Sequence, residues 1–186
     1  MSVGFALLQS FWFFLPAYVA NPAAVLFGGG PPIDGGRVLV DGNRLFGDGK
    51  TWRGFGGGVF VGIVLGLAQW GIAAAVEPDL SFGTVPMGLV PLVALPIGAL
   101  LGDLLGSYVK RRAGKPKGAQ TPGLDWFDFY LGAFLLLVVA DYGFFLAHYV
   151  YGEAIYGLAF VTVITPVLHR VVNILGFKLG KKDVPW

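Results

Sequence analysis

Between Gly102 and Asp128 the chain reads GDLLGSYVKRRAGKPKGAQTPGLDWFD, three aspartates, a serine and five cations set among apolar runs. Asp103, Ser107 and Lys110 fall at i, i+4 and i+7, one stripe of a helix. Asp125 and Asp128 fall at i and i+3 just after Thr121-Pro122, a helix start with proline in its first turn. Carboxylates facing one another from two helix ends make an oxygen-rich site of the kind Mg²⁺ takes, completed by waters and substrate phosphates. The neighbouring Lys110 and Arg111 suit phosphate. Two plainer readings stand beside this one. Asp103 could pair with Lys110 along its own helix, and Asp125 and Asp128 could simply complement a helix dipole. Asp103 cannot face lipid without a large cost, so it has to meet protein, water or a metal.

A second polar stretch, GGGPPIDGGRVLVDGNRLFGDGKTWRG, precedes the next apolar run. Its GDGKT is not a phosphate loop, because the glycine required five residues before Gly49 falls at Arg44. It is not an EF-hand either, since Leu45 stands where a third oxygen ligand belongs after Asp41 and Asn43. What remains is Gly47 and Gly49, which let backbone amides approach an anion, Lys50 as a point charge, and Thr51 at the start of a helix. As a solvated basic loop the stretch needs none of this. Asn21 is the first polar side chain after the first apolar run, either a helix cap or a ligand contact. Near the other end of the chain, His169, Arg170 and Asn173 follow a kink expected at Thr165-Pro166. Neither His148 nor His169 has a partner with zinc-site spacing. Asp141, about 24 Å beyond Asp125 along a helix, reads as interfacial.

The elements that position these residues are membrane spans. Of 186 residues 55% are hydrophobic and only 13% charged, and the mean hydropathy is +0.71. A soluble domain needs far more surface charge. There are no cysteines, which excludes disulfides and thiolate metal sites. The 30 glycines lie inside apolar runs, as in closely packed membrane helices; Gly54, Gly58, Gly62 and Gly66 recur every four residues, as do Gly98, Gly102 and Gly106.

All 13 lysines and arginines fall in three patches, Arg37 to Arg53, Lys110 to Lys117 and Arg170 to Lys182. Apolar segments long enough to cross and return separate them. The sequence therefore predicts an all-α integral membrane protein of one domain with five transmembrane helices, spanning about residues 3–20, 54–76, 87–109, 124–147 and 154–176. The first is expected to break at Asn21-Pro22. Loops at about 28–53 and 110–123 and the tail 177–186 carry the cations. By the positive-inside rule these face the cytoplasm, with the N-terminus outside and the C-terminus inside. The first run lacks the basic start and cleavage site of a signal peptide. The site lies at the cytoplasmic mouth of a multi-pass protein of the cell membrane.

GDLLGSYVKRR followed by PGLDWFD resembles the signature of membrane CTP-dependent phosphatidate cytidylyltransferases, in which GDxxxSxxKR precedes two aspartates three apart. The bacterial-type enzymes carry an acidic residue after the KR pair and a His-Gly-Gly element before the aspartates. Here Lys115-Pro116-Lys117 and Pro122-Gly123-Leu124 occupy those places. Nearly the whole chain is similar to the archaeal CDP-archaeol synthases, through PAYVANPA, GGGPPIDGGR, GDGKTWRG, the Gly102 to Asp128 block and HRVVNILGFKLGKKDVPW.

The resemblance implies an enzyme that joins CTP to 2,3-bis-O-geranylgeranyl-sn-glycerol 1-phosphate, giving CDP-archaeol and pyrophosphate in membrane phospholipid biosynthesis. The mechanism expected on that basis has Mg²⁺ held, directly or through water, by Asp103, Asp125 and Asp128, and the triphosphate gripped by Lys50, Thr51, Lys110 and Arg111. Ser107 would orient a ligand or metal water, and Asn21, Arg53 and Asn173 would contact CTP or the lipid headgroup. The partners are CTP, an isoprenoid ether lipid phosphate and the bilayer, with no nucleic acid and no oligomeric state specified. The alternative is a small membrane transporter using an intramembrane Asp, although the basic, glycine-rich loop would then be idle. A CDP-alcohol phosphotransferase is excluded by the missing DGxxAR motif. A noncatalytic scaffold would leave the charged constellation unused.

Overall fold

The computed structural model describes residues 1–116, 118–181, 184 and 185. Lys117 and Lys182 of the basic patches lie outside them. Among the described residues six helices follow in order: α1 (Val3–Leu26), α2 (Trp52–Val76), α3 (Leu89–Arg112), α4 (Leu124–Ala140), the short α5 (Tyr142–Phe145) and α6 (Ala154–Lys178), with a 3₁₀ turn at Pro78–Leu80 and a π turn at Leu146–Val150. The polar loop between α1 and α2 contributes only the isolated bridges Pro32–Thr51 and Val38–Arg44.

α1 starts at Ser2, whose hydroxyl accepts from the Phe5 amide at 3.3 Å. It does not break at Asn21-Pro22 but runs on to Leu26, with Pro16 and Pro22 inside it. Packing sustains it where local propensity would not. Pro16 has no N–H for the Trp12 carbonyl, and the buried amide of Gln69 from α2 donates to that oxygen at 2.7 Å instead. Gly54 and Gly58 of α2 seat against the Ala24 and Ala20 carbonyls of α1, while Gly62 and Gly66 seat against Pro96 and Leu92 of α3. The glycine ridge of α2 thus lets two neighbours approach at once.

The ridge of α3 faces α4. Gly98 abuts Gly132 and Ala133, Gly102 abuts the backbone of Asp128 and Gly132, and Gly106 abuts the side chain of Asp128. At the opposite end, the turn after α2 folds back on α1, where Gln9 and Trp12 donate to the carbonyls of Asp79 and Leu80 at 2.7 and 3.0 Å. An aromatic core fills the centre, with Phe14 stacked on Phe134 and Phe13 lying between Phe82 and Phe144. α6 joins α1 through Tyr18, whose hydroxyl meets Thr165 Oγ1 at 2.7 Å.

The exterior is apolar where a soluble protein would be polar: Phe60, Val64, Leu101, Leu135, Val163 and Val167 are all exposed. Among the described residues, α1, α2, α3 and α6 are long and apolar enough to cross a membrane. The fourth expected span, 124–147, is divided. α4 has 17 residues, about 26 Å of helix against a hydrocarbon core of about 30 Å. It stops because Asp141 leaves helical geometry and its carboxylate caps the Phe144 amide of α5 at 2.8 Å.

Candidate functional site

The end of α3, the start of α4 and the loop before α2 meet at one end of the bundle. Asp103 does not pair along its own helix; Lys50 reaches across from the loop to form its ion pair. Lys110 likewise reaches across, to Asp125 on α4 at 2.7 Å. The second oxygen of Asp125 accepts from the Thr121 amide at 2.6 Å, and the Asp125 amide donates back to the Thr121 carbonyl at 2.9 Å, so this carboxylate also fixes the start of α4. Lys115 closes the same turn through Thr121 Oγ1 at 3.1 Å.

Asp128 lies one turn deeper. Its side chain is seated on Gly106, where a Cβ would occupy the carboxylate's place, and it accepts from the Phe129 amide at 2.6 Å. The charges that act on it are Asp103, Lys110 and Lys50. The structure therefore brings together five of the residues singled out in the sequence, two lysines against three carboxylates, with the buried Ser107 beside Gly106 on α3. Among the described residues no group of three or more His, Asp or Glu stands close enough together to hold a metal ion by itself. Asp103 and Asp128 act on one another, whereas Asp125 is turned to Lys110 and Thr121.

The remaining residues are placed as follows. Thr51 caps α2, accepting from the Gly54 amide at 3.1 Å, and is buried. Arg111 donates to the carbonyls of Phe46 and Lys115, tying the two loops to the end of α3. Arg53 donates to the Phe27 carbonyl at 2.9 Å on an exposed face. Asn21 lies within α1, and its buried Oδ1 has no partner among the described residues. Asn173 meets His169 at 2.6 Å on α6. With Gln120, Asp125, Trp126 and Arg170 these two line a cavity of about 400 Å³ between α4 and α6.

Sequence reasoning missed Asp34, although the Gly-Gly following it signals a turn of the kind aspartate makes. Its buried carboxylate accepts from the amides of Gly36, Phe46 and Gly47 at 2.9 to 3.0 Å and from Arg44 at 2.6 Å. Burial works against its charge, but Arg44 and the three amides outweigh burial and hold the carboxyl far below the usual range. Arg112 was also missed. It donates to the Asn43 and Arg44 carbonyls and pairs with Asp41 at 2.6 Å.

Fold and site define a polytopic helical membrane protein with an ion-paired polar site at one end of its spans. Its relatives narrow the class. The family model described as CarS-like, CDP-archaeol synthase, matches residues 5–186, and the chain belongs to that family. It is 48% identical over 173 residues to the CDP-archaeol synthase of Methanosphaerula palustris, covering 92% of this chain and 99% of that one. It is 45% identical to that of Halorubrum lacusprofundi, with 99% of each chain covered. For the Thermococcus kodakarensis relative the identity is 41%, with 97% of each covered. A solved structure, described as an intramembrane enzyme for archaeal membrane lipids biosynthesis, superposes with a TM-score of 0.69 at 35% identity, covering 90% of this chain and 94% of the other. None of these likenesses supports the transporter alternative.

Proposed function

We propose that the chain transfers the cytidylyl group of CTP to the phosphate of 2,3-bis-O-geranylgeranyl-sn-glycerol 1-phosphate. A lipid phosphate oxygen forms a bond to the α-phosphorus of CTP, the bond from that phosphorus to the bridging oxygen breaks, and pyrophosphate leaves with the electron pair. The products are CDP-archaeol and pyrophosphate. The observation that carries the reading is the cluster of Lys50, Asp103, Lys110, Asp125 and Asp128 at one end of apolar helices, in a chain of the CDP-archaeol synthase family. A phosphomonoester is already an anionic nucleophile near neutral pH, so no activating histidine is needed. The work left to the protein is positioning and charge neutralisation.

Lys50 and Lys110 keep 26% and 19% of their side-chain surface exposed. Water reaches both pairs, and an incoming triphosphate can take over each ammonium from its carboxylate. That exchange would free Asp103 and Asp125. The donor set fits Mg²⁺ that arrives with the nucleotide, since such an ion needs only one or two carboxylates besides phosphates and water. Asp103 and Asp128 would hold it, with Asp125 joining directly or through water. When bound, the ion would offset the charge building on the phosphate oxygens. Ser107 would orient a ligand or water. Thr51 holds the start of α2 beside Lys50, and Arg111 holds the loops; both would also face the triphosphate. Asn21, Arg53 and Asn173 are assigned to CTP or the lipid headgroup. All three basic patches lie in the cytoplasm in this reading, with five crossings, α4 and its continuation making the fourth, and the N-terminus outside. The isoprenoid chains stay in the bilayer and the headgroup enters sideways between the helices.

The test is pyrophosphate release by purified protein in detergent with Mg²⁺, comparing CTP with ATP, GTP and UTP, with and without the unsaturated ether lipid phosphate. Release that needs both CTP and lipid and yields a CDP-lipid by mass is expected. No release by folded protein offered both ether and ester lipid phosphates would overturn the reading.

A further inference from the structure

We infer that Asp34 is a positioning residue for the transfer: its carboxylate shapes the loop between α1 and α2 so that Lys50 is presented to Asp103 and to the incoming triphosphate. The inference rests on the proposed cytidylyl transfer.

The loop has almost no regular structure of its own, and its conformation is set by hydrogen bonds converging on one side chain. One oxygen of Asp34 accepts from the Gly36 amide at 3.0 Å and from Arg44 at 2.6 Å; the other accepts from the Phe46 and Gly47 amides at 3.0 and 2.9 Å and from Arg44 Nε at 3.3 Å. That draws residues 44–47 onto residue 34 across the loop. Lys50 is fastened to the same two strips of chain. Its amide donates to the Gly47 carbonyl at 3.2 Å, and its carbonyl accepts from the Ile33 amide at 2.8 Å. The backbone of Lys50 is therefore tied to the neighbour of Asp34 on one side and to a residue Asp34 binds on the other. Its side chain leaves this frame to meet Asp103.

The frame is also anchored to the helix that carries Asp103. Arg111 donates to the Phe46 carbonyl, and Arg112 donates to those of Asn43 and Arg44. Two of the three amides that Asp34 gathers, those of Phe46 and Gly47, are thus on one short segment whose carbonyls α3 holds. A carboxylate suits the role because all its neighbours are donors. Three amides and a guanidinium converge on two oxygens, and a carboxamide in the same place must turn an N–H₂ toward one of those donors. Lys50 is displaced in consequence, and a shift of about 1 Å in such a group can cost about 100-fold in rate.

The experiment compares Asp34→Asn, Lys50→Met and the double variant, each checked for its unfolding midpoint in detergent, with KM and kcat measured separately for CTP and lipid. Asp34→Asn is expected to lower kcat/KM for CTP by about 10- to 100-fold, mostly through KM, while leaving KM for the lipid unchanged. The double variant is expected to be no slower than Lys50→Met alone, because both changes remove the same presented ammonium. Fully multiplicative losses, or an Asp34→Asn enzyme indistinguishable from wild type while Lys50→Met is impaired, would overturn the inference. If Asp34→Asn does not fold, Arg44→Gln replaces it in the same cycle, with a smaller loss of the same kind expected and multiplicative losses again decisive against it. A folded wild type without CTP turnover would instead overturn the transfer reading, and this inference with it.

Discussion

Asp128 separates a structural carboxylate from a working one most cleanly. Asp125 has a local occupation, fixing the turn at Thr121 while paired with Lys110, and Asp103 is paired with Lys50. Among the described residues Asp128 accepts only from the amide next to it, at 2.6 Å, and shares its surroundings with Asp103 and the two lysines. Asn in its place keeps the size that fits on Gly106 and removes the charge. If Asp128 acts on the transferring phosphate through a bound cation, Asp128→Asn should lower turnover at least about 100-fold, the equivalent of several kcal/mol of transition-state stabilisation. Its unfolding midpoint in detergent should not fall. Near-normal turnover in a folded Asp128→Asn protein would remove the residue from the site. At this scale the sequence disclosed the participants and not their partners. Spacing along one helix brought Asp103, Ser107 and Lys110 onto a stripe, but the ion pairs run between elements, from Lys50 to Asp103 and from Lys110 to Asp125. Asp34 was illegible for the same reason, since its partners lie 2, 10, 12 and 13 residues away in a loop with no periodicity to read.

Among the elements, the glycine ridges decide how close the helices come, and two positions on the α3–α4 contact separate packing from chemistry. A methyl group at Gly106 would fall on the carboxylate of Asp128, whose oxygens can swing aside, and 2.8 Å from the Asp128 Cβ, which moves only with α4. A methyl group at Gly132 would instead meet the Gly98 carbonyl and the Gly102 backbone, which yield only if the helices part. Gly106→Ala should therefore lose at least about 10-fold in turnover with a smaller fall in unfolding midpoint than Gly132→Ala. Gly132→Ala should lose stability, by about 1–3 kcal/mol, the usual cost of overpacking. Gly71→Ala, whose added Cβ meets nothing within 4 Å, serves as the control. Turnover and detergent unfolding of the three variants check this; a Gly106→Ala enzyme as active as Gly71→Ala would mean that the seat of Asp128 does not matter. The ridges were legible because four-residue spacing is a property of one helix. The ends of the helices were less so. The sequence put a break at Asn21-Pro22, where packing against Gly54 and Gly58 carries α1 on. It put none at Asp141, where a carboxylate able to cap α5 stops α4 short.

Across the whole molecule, the distribution of charge carries the proposed orientation in the membrane. The ion pairs of the α1–α2 loop with α3, the pair between α3 and α4, and the cavity bordered by Asp125 and Arg170 gather residues of all three basic patches at one end. Among the described residues the other end holds Glu77, Asp79 and Asp141 and no lysine or arginine. If the cations face inside, as proposed, the N-terminus and the turn after α2 would lie outside and the loop before α2 inside, and α4 with its continuation would make a full crossing despite its 17 helical residues. The chain has no cysteine, so single substitutions report without background. Ser2→Cys and Thr84→Cys are exposed at the expected outer end, and Asp48→Cys at the inner one. A membrane-impermeant thiol reagent applied to intact cells should label the first two and spare the third, and inside-out vesicles should reverse the pattern. Adding Ala113→Cys and Gly152→Cys tests the short helix directly, because they flank α4 and its continuation. They should label from opposite faces. Labelling of both from the same face would make that segment a re-entrant hairpin, reduce the crossings to the four long helices, and put the N-terminus and the α6 end of the chain on the same side.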